Sequence, residues 1–208
     1  MKSLWALALA ICAVSTPALA EKIISEQPPA IEVGKPAPLF ESKDTNGADV
    51  KLTDLKGKIV VLEWTNNECP YVKKQYDSGN MQAVQKKATD EGVVWISIVS
   101  SAEGKEGYVT PEEANTIVKE RGAVPTHKIL DPSGAIGHLY GAKTTPHMFV
   151  INKDGVLAYA GAIDSDPGFK PESVKTAKNY VLAAIDDLNA GRAVETPSTN
   201  PYGCGVKY

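Results

Sequence analysis

Apolar and polar positions along this chain fall into two kinds of block. Ile59-Val-Val-Leu-Glu-Trp64 and Val93-Val-Trp-Ile-Ser-Ile-Val99 are nearly unbroken apolar runs, the pattern of strands covered on both faces. His147-Met-Phe-Val-Ile151 and Val156 to Ile163 predict two more strands, joined through Asn152-Lys-Asp-Gly155, a hairpin signal. A shorter strand is expected over His127–Leu130, closed by Asp131-Pro-Ser-Gly134. Another follows Lys35-Pro-Ala-Pro-Leu-Phe40, with Thr45-Asn-Gly47 as its turn, and Thr53 to Gly57 reads as a single capped turn. Between the strands the apolar spacing becomes helical. Pro70 suits the first turn of a helix, where its missing N–H costs nothing, and Val72, Tyr76, Met81, Val84 and Ala88 carry that helix onward as one element. Thr110-Pro-Glu-Glu113 combines an N-cap, a first-turn proline and a capping-box glutamate, and Arg121-Gly122 is the matching stop. A last helix is expected from about Ser173 to Ala190, ended by Gly191. Strands separated by helices, finishing in a hairpin and a helix, predict one α/β layered domain.

The two ends depart from this pattern. Lys2, the uncharged apolar stretch Leu4 to Val14, Pro17 and Ala18-Leu-Ala20 read as an export signal cleaved after Ala20. An uncleaved anchor is the competing reading, but the apolar run is too short to span a bilayer. The chain therefore divides into a signal over 1–20, an extended arm over 21–34, a domain over 35–190 and an irregular tail over 191–208. Cleavage removes Cys12 and leaves Cys69 and Cys204. An even cysteine count in an oxidising compartment, with a bacterial periplasm as the expected address, invites a disulfide. The 208 residues carry a net charge of −3, and the 22 lysines and arginines form no run, which argues against nucleic acid as a partner. No membrane association is expected once the signal is removed, and nothing in the sequence fixes the oligomeric state.

The chemistry is concentrated at Glu63-Trp-Thr-Asn-Asn-Glu-Cys69-Pro-Tyr-Val-Lys-Lys74. A cysteine between a buried strand and a helix start faces unpaired N–H groups and the positive end of the helix dipole, which favour thiolate over thiol. Lys73, one turn along, adds positive charge. The alternative is an inert, buried structural cysteine. The aromatic residues Trp64, Tyr71 and Tyr76 read as core or rim packing.

The chain resembles the redoxin branch of the thioredoxin-like superfamily, which includes alkyl hydroperoxide reductase/TSA-type and TlpA-like proteins. It is most similar to exported members with a Cys-Pro-Tyr/Phe-Val-Lys-Lys segment. The resemblance is carried by Pro36 to Phe40, Leu52 to Gly57, Val60 to Val72, Tyr140-Gly141, Thr144 to Ile151 and Lys153 to Gly155. It implies a thioredoxin-like fold, a central mixed β-sheet with helices on both faces. It further implies that Cys69 is the nucleophile and that Pro146 is a cis-proline facing it. The backbone of Thr145 would pair with an extended substrate. Glu63, six residues before Cys69, would be a buried carboxylate shuttling protons, its pKa raised by desolvation. No cofactor is implied, and the partners would be a thiol reductant or a disulfide-bearing protein.

Two departures limit the inheritance. The Cys-x-x-Cys motif reads Cys69-Pro-Tyr-Val72, without a local resolving cysteine. The peroxiredoxin pattern is also broken, since Asn66 and Leu62 stand where Thr or Ser and Pro belong. Arg121 and Arg192, the only arginines, lie outside the expected late strand. Cys204, in the Gly-flanked tail, admits three readings: a resolving cysteine for Cys69, half of a fixed disulfide, or a free thiol awaiting a partner. Three function classes follow: thiol–disulfide exchange at Cys69, peroxide reduction through a Cys69 sulfenic acid, or a copper-binding or redox-sensing module. The copper reading draws on Cys69, Cys204 and His147, with His127 and His138 nearby in sequence.

Overall fold

The computed structural model describes residues 31–208. The expected export signal, and the expected arm up to residue 30, lie outside the described residues. In chain order, β1 (Glu41–Lys43) and β2 (Asp49–Lys51) form an antiparallel hairpin. Its turn is held by the Asp44 carboxylate, which accepts from the N–H groups of Asn46 and Ala48. After a 3-10 turn come β3 (Val60–Trp64), α1 (Pro70–Asp77), α2 (Asn80–Asp90) and β4 (Val94–Val99). Next are α3 (Pro111–Glu120), β5 (His127–Leu130), α4 (Ala135–Leu139), β6 (Thr144–Thr145) and β7 (His147–Ile151). The chain closes with β8 (Leu157–Gly161), a second 3-10 turn, α5 (Tyr180–Asn189) and β9 (Cys204–Gly205). The main sheet has the order β5-β4-β3-β7-β8. β3, β4 and β5 run parallel, whereas β7 is antiparallel to both β3 and β8, so the sheet is mixed.

The period of two along each strand sorts the core into two layers. Val60, Leu62 and Trp64 join Ile96, Ile98 and Phe149 against Phe40, Val50 and α4's Ile136. On the other face Val61, Trp95, Met148 and Val150 meet Val72 of α1, Met81 and Val84 of α2, and Val181 and Ile185 of α5. Helices thus cover both faces, with Cys69 in the second layer. Trp64 and Trp95 are fully buried. The Trp64 indole N–H donates to Ser100 Oγ at 3.0 Å, and Ser100 in turn donates to Asp131 at 2.6 Å. Trp95 Nε1 donates to Glu63 at 2.8 Å.

Several elements differ from expectation. The helix predicted as one from Pro70 to Ala88 is two, because Gly79 turns left-handed with φ +76. The five-residue step from Tyr76 to Met81 already breaks the helical stripe. The last helix begins at Tyr180 rather than near Ser173. Asn179 caps it by accepting from Leu182 N at 2.9 Å, and Pro171–Lys175 is a separate 3-10 turn with no buried residue. Without an apolar face to dock, that stretch has nothing to stabilise helix. The tail, expected to be irregular, contains β9, which pairs antiparallel with β6. The capping box at Thr110–Glu113 is present as read, with both reciprocal hydrogen bonds formed.

Candidate active site

Cys69 stands at the N-cap of α1, immediately before Pro70. The loop leaving β3 is shaped by Asn66, whose side-chain oxygen accepts from Glu68 N at 2.8 Å and whose carbonyl accepts from Cys69 N at 3.2 Å. The side chain of Cys69 is completely buried. Its sulfur lies 3.1 Å from the Thr145 carbonyl oxygen and 2.7 Å from Cys204 Sγ. The Thr145–Pro146 peptide is cis. Pairing of β6 with β9 puts Cys204 directly opposite Thr145. Cys69, Cys204 and the Thr145–Pro146 pair, three places far apart in sequence, therefore meet at one point.

The two sulfurs are held in different electrostatic states. Burial pushes the Cys69 thiol up, but hydrogen bonding with Cys204, Thr145 and the backbone outweighs it and holds Cys69 below its ordinary value. Cys204 is driven the other way by burial and by the adjacent Cys69 sulfur. Position adds to this, since Cys69 lies at a helix N-terminus, where negative charge is favoured. Of the two sulfurs, Cys69 is therefore the more readily ionised. Lys73 points to solvent.

Glu63 is not part of this cluster. Its carboxylate is fully buried and receives four donors: Tyr76 Oη at 2.8 Å, Gln85 Nε2 at 3.1 Å, Trp95 Nε1 at 2.8 Å and Ser97 Oγ at 2.7 Å. Burial and the neighbouring Glu63 push the Tyr76 phenol well above its ordinary value, so it remains a donor. The carboxylate ties β3 to α1, α2 and β4, which fixes the helix that begins at Cys69.

Sequence reasoning missed the residues that seat the tail. Tyr202 Oη donates to Asp164, which also accepts from Gln75 Nε2 at 2.6 Å. Lys74, buried despite its charge, donates to the carbonyls of Asp166 and Gly168 at 2.7 and 2.9 Å and lies 5.2 Å from the Tyr202 ring centre. Beyond Cys204, Val206 N donates to Lys143 O at 3.1 Å and Ala102 N to Lys207 O at 2.8 Å. The Tyr208 ring stacks on His138 at 3.9 Å. Nothing in the local sequence announces these contacts, because every one joins segments remote along the chain.

The copper reading needs Cys69, Cys204 and His147 to converge, and they do not. Among the described residues no three His, Cys, Asp or Glu side chains form a metal-holding group. His147 packs against Phe149, on the face of the sheet away from Cys69, and its Nδ1 accepts from Lys143 N at 3.3 Å. His127 pairs with Asp44 at 2.8 Å.

Known proteins share this arrangement of elements. Thiol-disulfide oxidoreductase ResA of Bacillus subtilis (strain 168) is 27% identical over 125 residues, which is 60% of this chain and 64% of that protein. The chain thus spans just under two thirds of that relative's length. The crystal structure of a hypothetical protein from Sinorhizobium meliloti 1021 superposes with a TM-score of 0.74 at 23% identity, covering 86% of this chain and 96% of that one. A putative thiol:disulfide interchange protein DsbE from Chlorobium tepidum gives a TM-score of 0.51 at 24% identity, over 63% of this chain and 85% of its own. The fold is thioredoxin-like. The profile of the AhpC/TSA family matches residues 33–160, more than half of the sequence, and the chain belongs to that family.

Proposed function

We propose that this chain is an exported thiol–disulfide oxidoreductase in which Cys69 is the nucleophile and Cys204 the resolving thiol. The observation that carries the reading is the facing pair of sulfurs, 2.7 Å apart, with Cys69 at a helix N-terminus and Cys204 opposite Thr145. The likeness to a thiol-disulfide oxidoreductase supports it. Export rests on the leader Lys2 to Ala20, and the domain is taken as 35–190 with the tail supplying Cys204.

The reaction balances without a cofactor. The Cys69 thiolate attacks one sulfur of a substrate disulfide and forms a mixed disulfide, expelling the other substrate sulfur as a thiolate. Cys204 then attacks the Cys69 sulfur, and its proton passes to the second departing substrate thiolate. The substrate leaves as one thiolate, which solvent protonates, and one thiol, and the protein keeps a Cys69–Cys204 disulfide that an external dithiol reduces. Thr145 and Pro146 form the wall facing the nucleophile. Glu63 acts as a positioning residue, since its hydrogen bonds hold α1 and none reaches Cys69.

Mass spectrometry with alkylation tests this on reduced protein exposed to oxidised glutathione or to one equivalent of hydrogen peroxide. The expected result is two alkylatable thiols before oxidation and a Cys69–Cys204 bridge after it. A Cys69 that remains free in excess disulfide would overturn the proposal. Oxidation by peroxide orders of magnitude faster than by the disulfide would favour peroxidase chemistry through a Cys69 sulfenic acid instead.

A further inference from the structure

Cys69 is fully buried, and what covers it is the tail. β6 is a two-residue strand whose partner is β9. The segment Tyr202-Gly-Cys-Gly205 therefore lies across the reactive sulfur as an extended chain with a defined fit at each position. The Tyr202 ring sits 5.9 Å from the Tyr71 ring, over the Lys74 ammonium, with its hydroxyl on Asp164. Gly203 has φ +135, and a Cβ there would fall into the Thr145 carbonyl. Cys204 presents its sulfur to Cys69. Gly205, opposite Thr144, is exposed and has open space around it.

We propose that this channel is a peptide-recognition groove that the chain fills with its own tail. Its external ligand would be an extended polypeptide whose disulfide-bonded cysteine follows an aromatic residue and a glycine. The proposal rests on the reading of Cys69 as nucleophile and adds the recognition rule. Each position of the tail states what the groove accepts: an aromatic ring against Tyr71 and Lys74, no side chain beside the Thr145 carbonyl, a sulfur at Cys69. Strand addition supplies backbone hydrogen bonds, and the pockets supply selectivity. An outside chain reaches Cys69 by taking the tail's place. The Cys69 thiolate then bonds to the peptide's cysteine sulfur and expels the other half of its disulfide as a thiolate. Return of the tail to the Thr145 register brings Cys204 onto the mixed disulfide and displaces the peptide as a thiol. Resolution and product ejection are the same movement.

The test uses full-length reduced protein carrying Cys204→Ser and, as probe, the peptide acetyl-Pro-Tyr-Gly-Cys-Gly-Val-amide in its symmetrical disulfide form. Mixed-disulfide formation at Cys69 is followed by mass spectrometry. Adding Gly203→Val to the protein is expected to unseat the tail and speed the reaction at least tenfold, and Tyr202→Phe to speed it less. Probe peptides with alanine for the tyrosine, or valine for the glycine, are expected to react at least tenfold more slowly than the parent. Equal rates for all three peptides and no effect of either tail variant, with Cys69 still promptly alkylated by iodoacetamide, would overturn the groove while leaving the nucleophile intact. A Cys69 inert to peptide and iodoacetamide in every native variant, yet alkylated in urea, would overturn both. Tyr202→Phe removes one hydroxyl and keeps the ring, so its result stands even if Gly203→Val disturbs the protein.

Discussion

Cys69 and Cys204 are the same side chain pushed in opposite directions, Cys69 below the ordinary thiol value and Cys204 above it, and the difference comes from what each sulfur touches. Hydrogen bonding with Cys204 lowers Cys69, whereas burial and the neighbouring Cys69 sulfur raise Cys204. Replacing Cys204 by serine replaces the S–H donor, and replacing it by alanine removes it. In Cys204→Ala the pH midpoint for alkylation of Cys69 should therefore rise, a shift that stopped-flow alkylation between pH 5 and pH 10 would read. Glu63 offers a second test. Glu63→Gln keeps the shape but turns an amide N–H₂ toward groups that are themselves donors. A stability loss of about 1–3 kcal/mol for each donor left unmatched is expected in urea denaturation. His147 supplies a third. Burial, and secondarily Lys143, lowers its pKa from 6.5 to about 4. As pH falls through that window the unfolded chain binds a proton that the folded chain refuses, so stability drops with acidification, by about 3 kcal/mol once below pH 4. His147→Phe should flatten that part of the stability profile. At this scale the place of Cys69 was legible, because a buried strand followed by Cys-Pro is a local signal. The partners of Glu63 were not, because they come from α1, α2 and β4.

Among the elements, the strands of the main sheet are the most legible, since β3 and β4 are apolar but for Glu63 and Ser97 and buried throughout. The helices were harder. Met81, Val84 and Ala88 gave a convincing face, and only the left-handed Gly79 separates α2 from α1. A Cβ at Gly79 meets nothing within 4 Å, so Gly79→Ala should cost only the backbone strain of a positive φ, about 1 kcal/mol by denaturant unfolding. Should it cost nothing, the break would owe itself to packing rather than to glycine. α4 escaped prediction because its five residues start directly after Gly134, its N-cap, which ends a stretch that reads as a turn closing β5. β6 and β9 escaped for a different reason. Two-residue strands have no periodicity, and each exists only because the other is there.

For the whole molecule, a bond between Cys69 and Cys204 would enclose most of the chain in one loop. Loop-closure entropy sets the ceiling on the stabilisation at about 5 kcal/mol. The oxidised protein should therefore unfold at a distinctly higher urea concentration than the reduced one, and Cys69→Ser should abolish the difference. Equal midpoints would mean that the bridge strains the fold by as much as it constrains the unfolded chain.

Trp64 and Trp95 are both sealed in the interior, and neither indole N–H bonds to the tail. The protein thus carries an optical reporter of its own core. Loss of the fold moves both rings into water and shifts their emission to the red, whereas a loosened tail leaves their hydrogen bonds untouched. Fluorescence recorded beside thiol reactivity would separate a molecule that has opened at one end from one that has come apart.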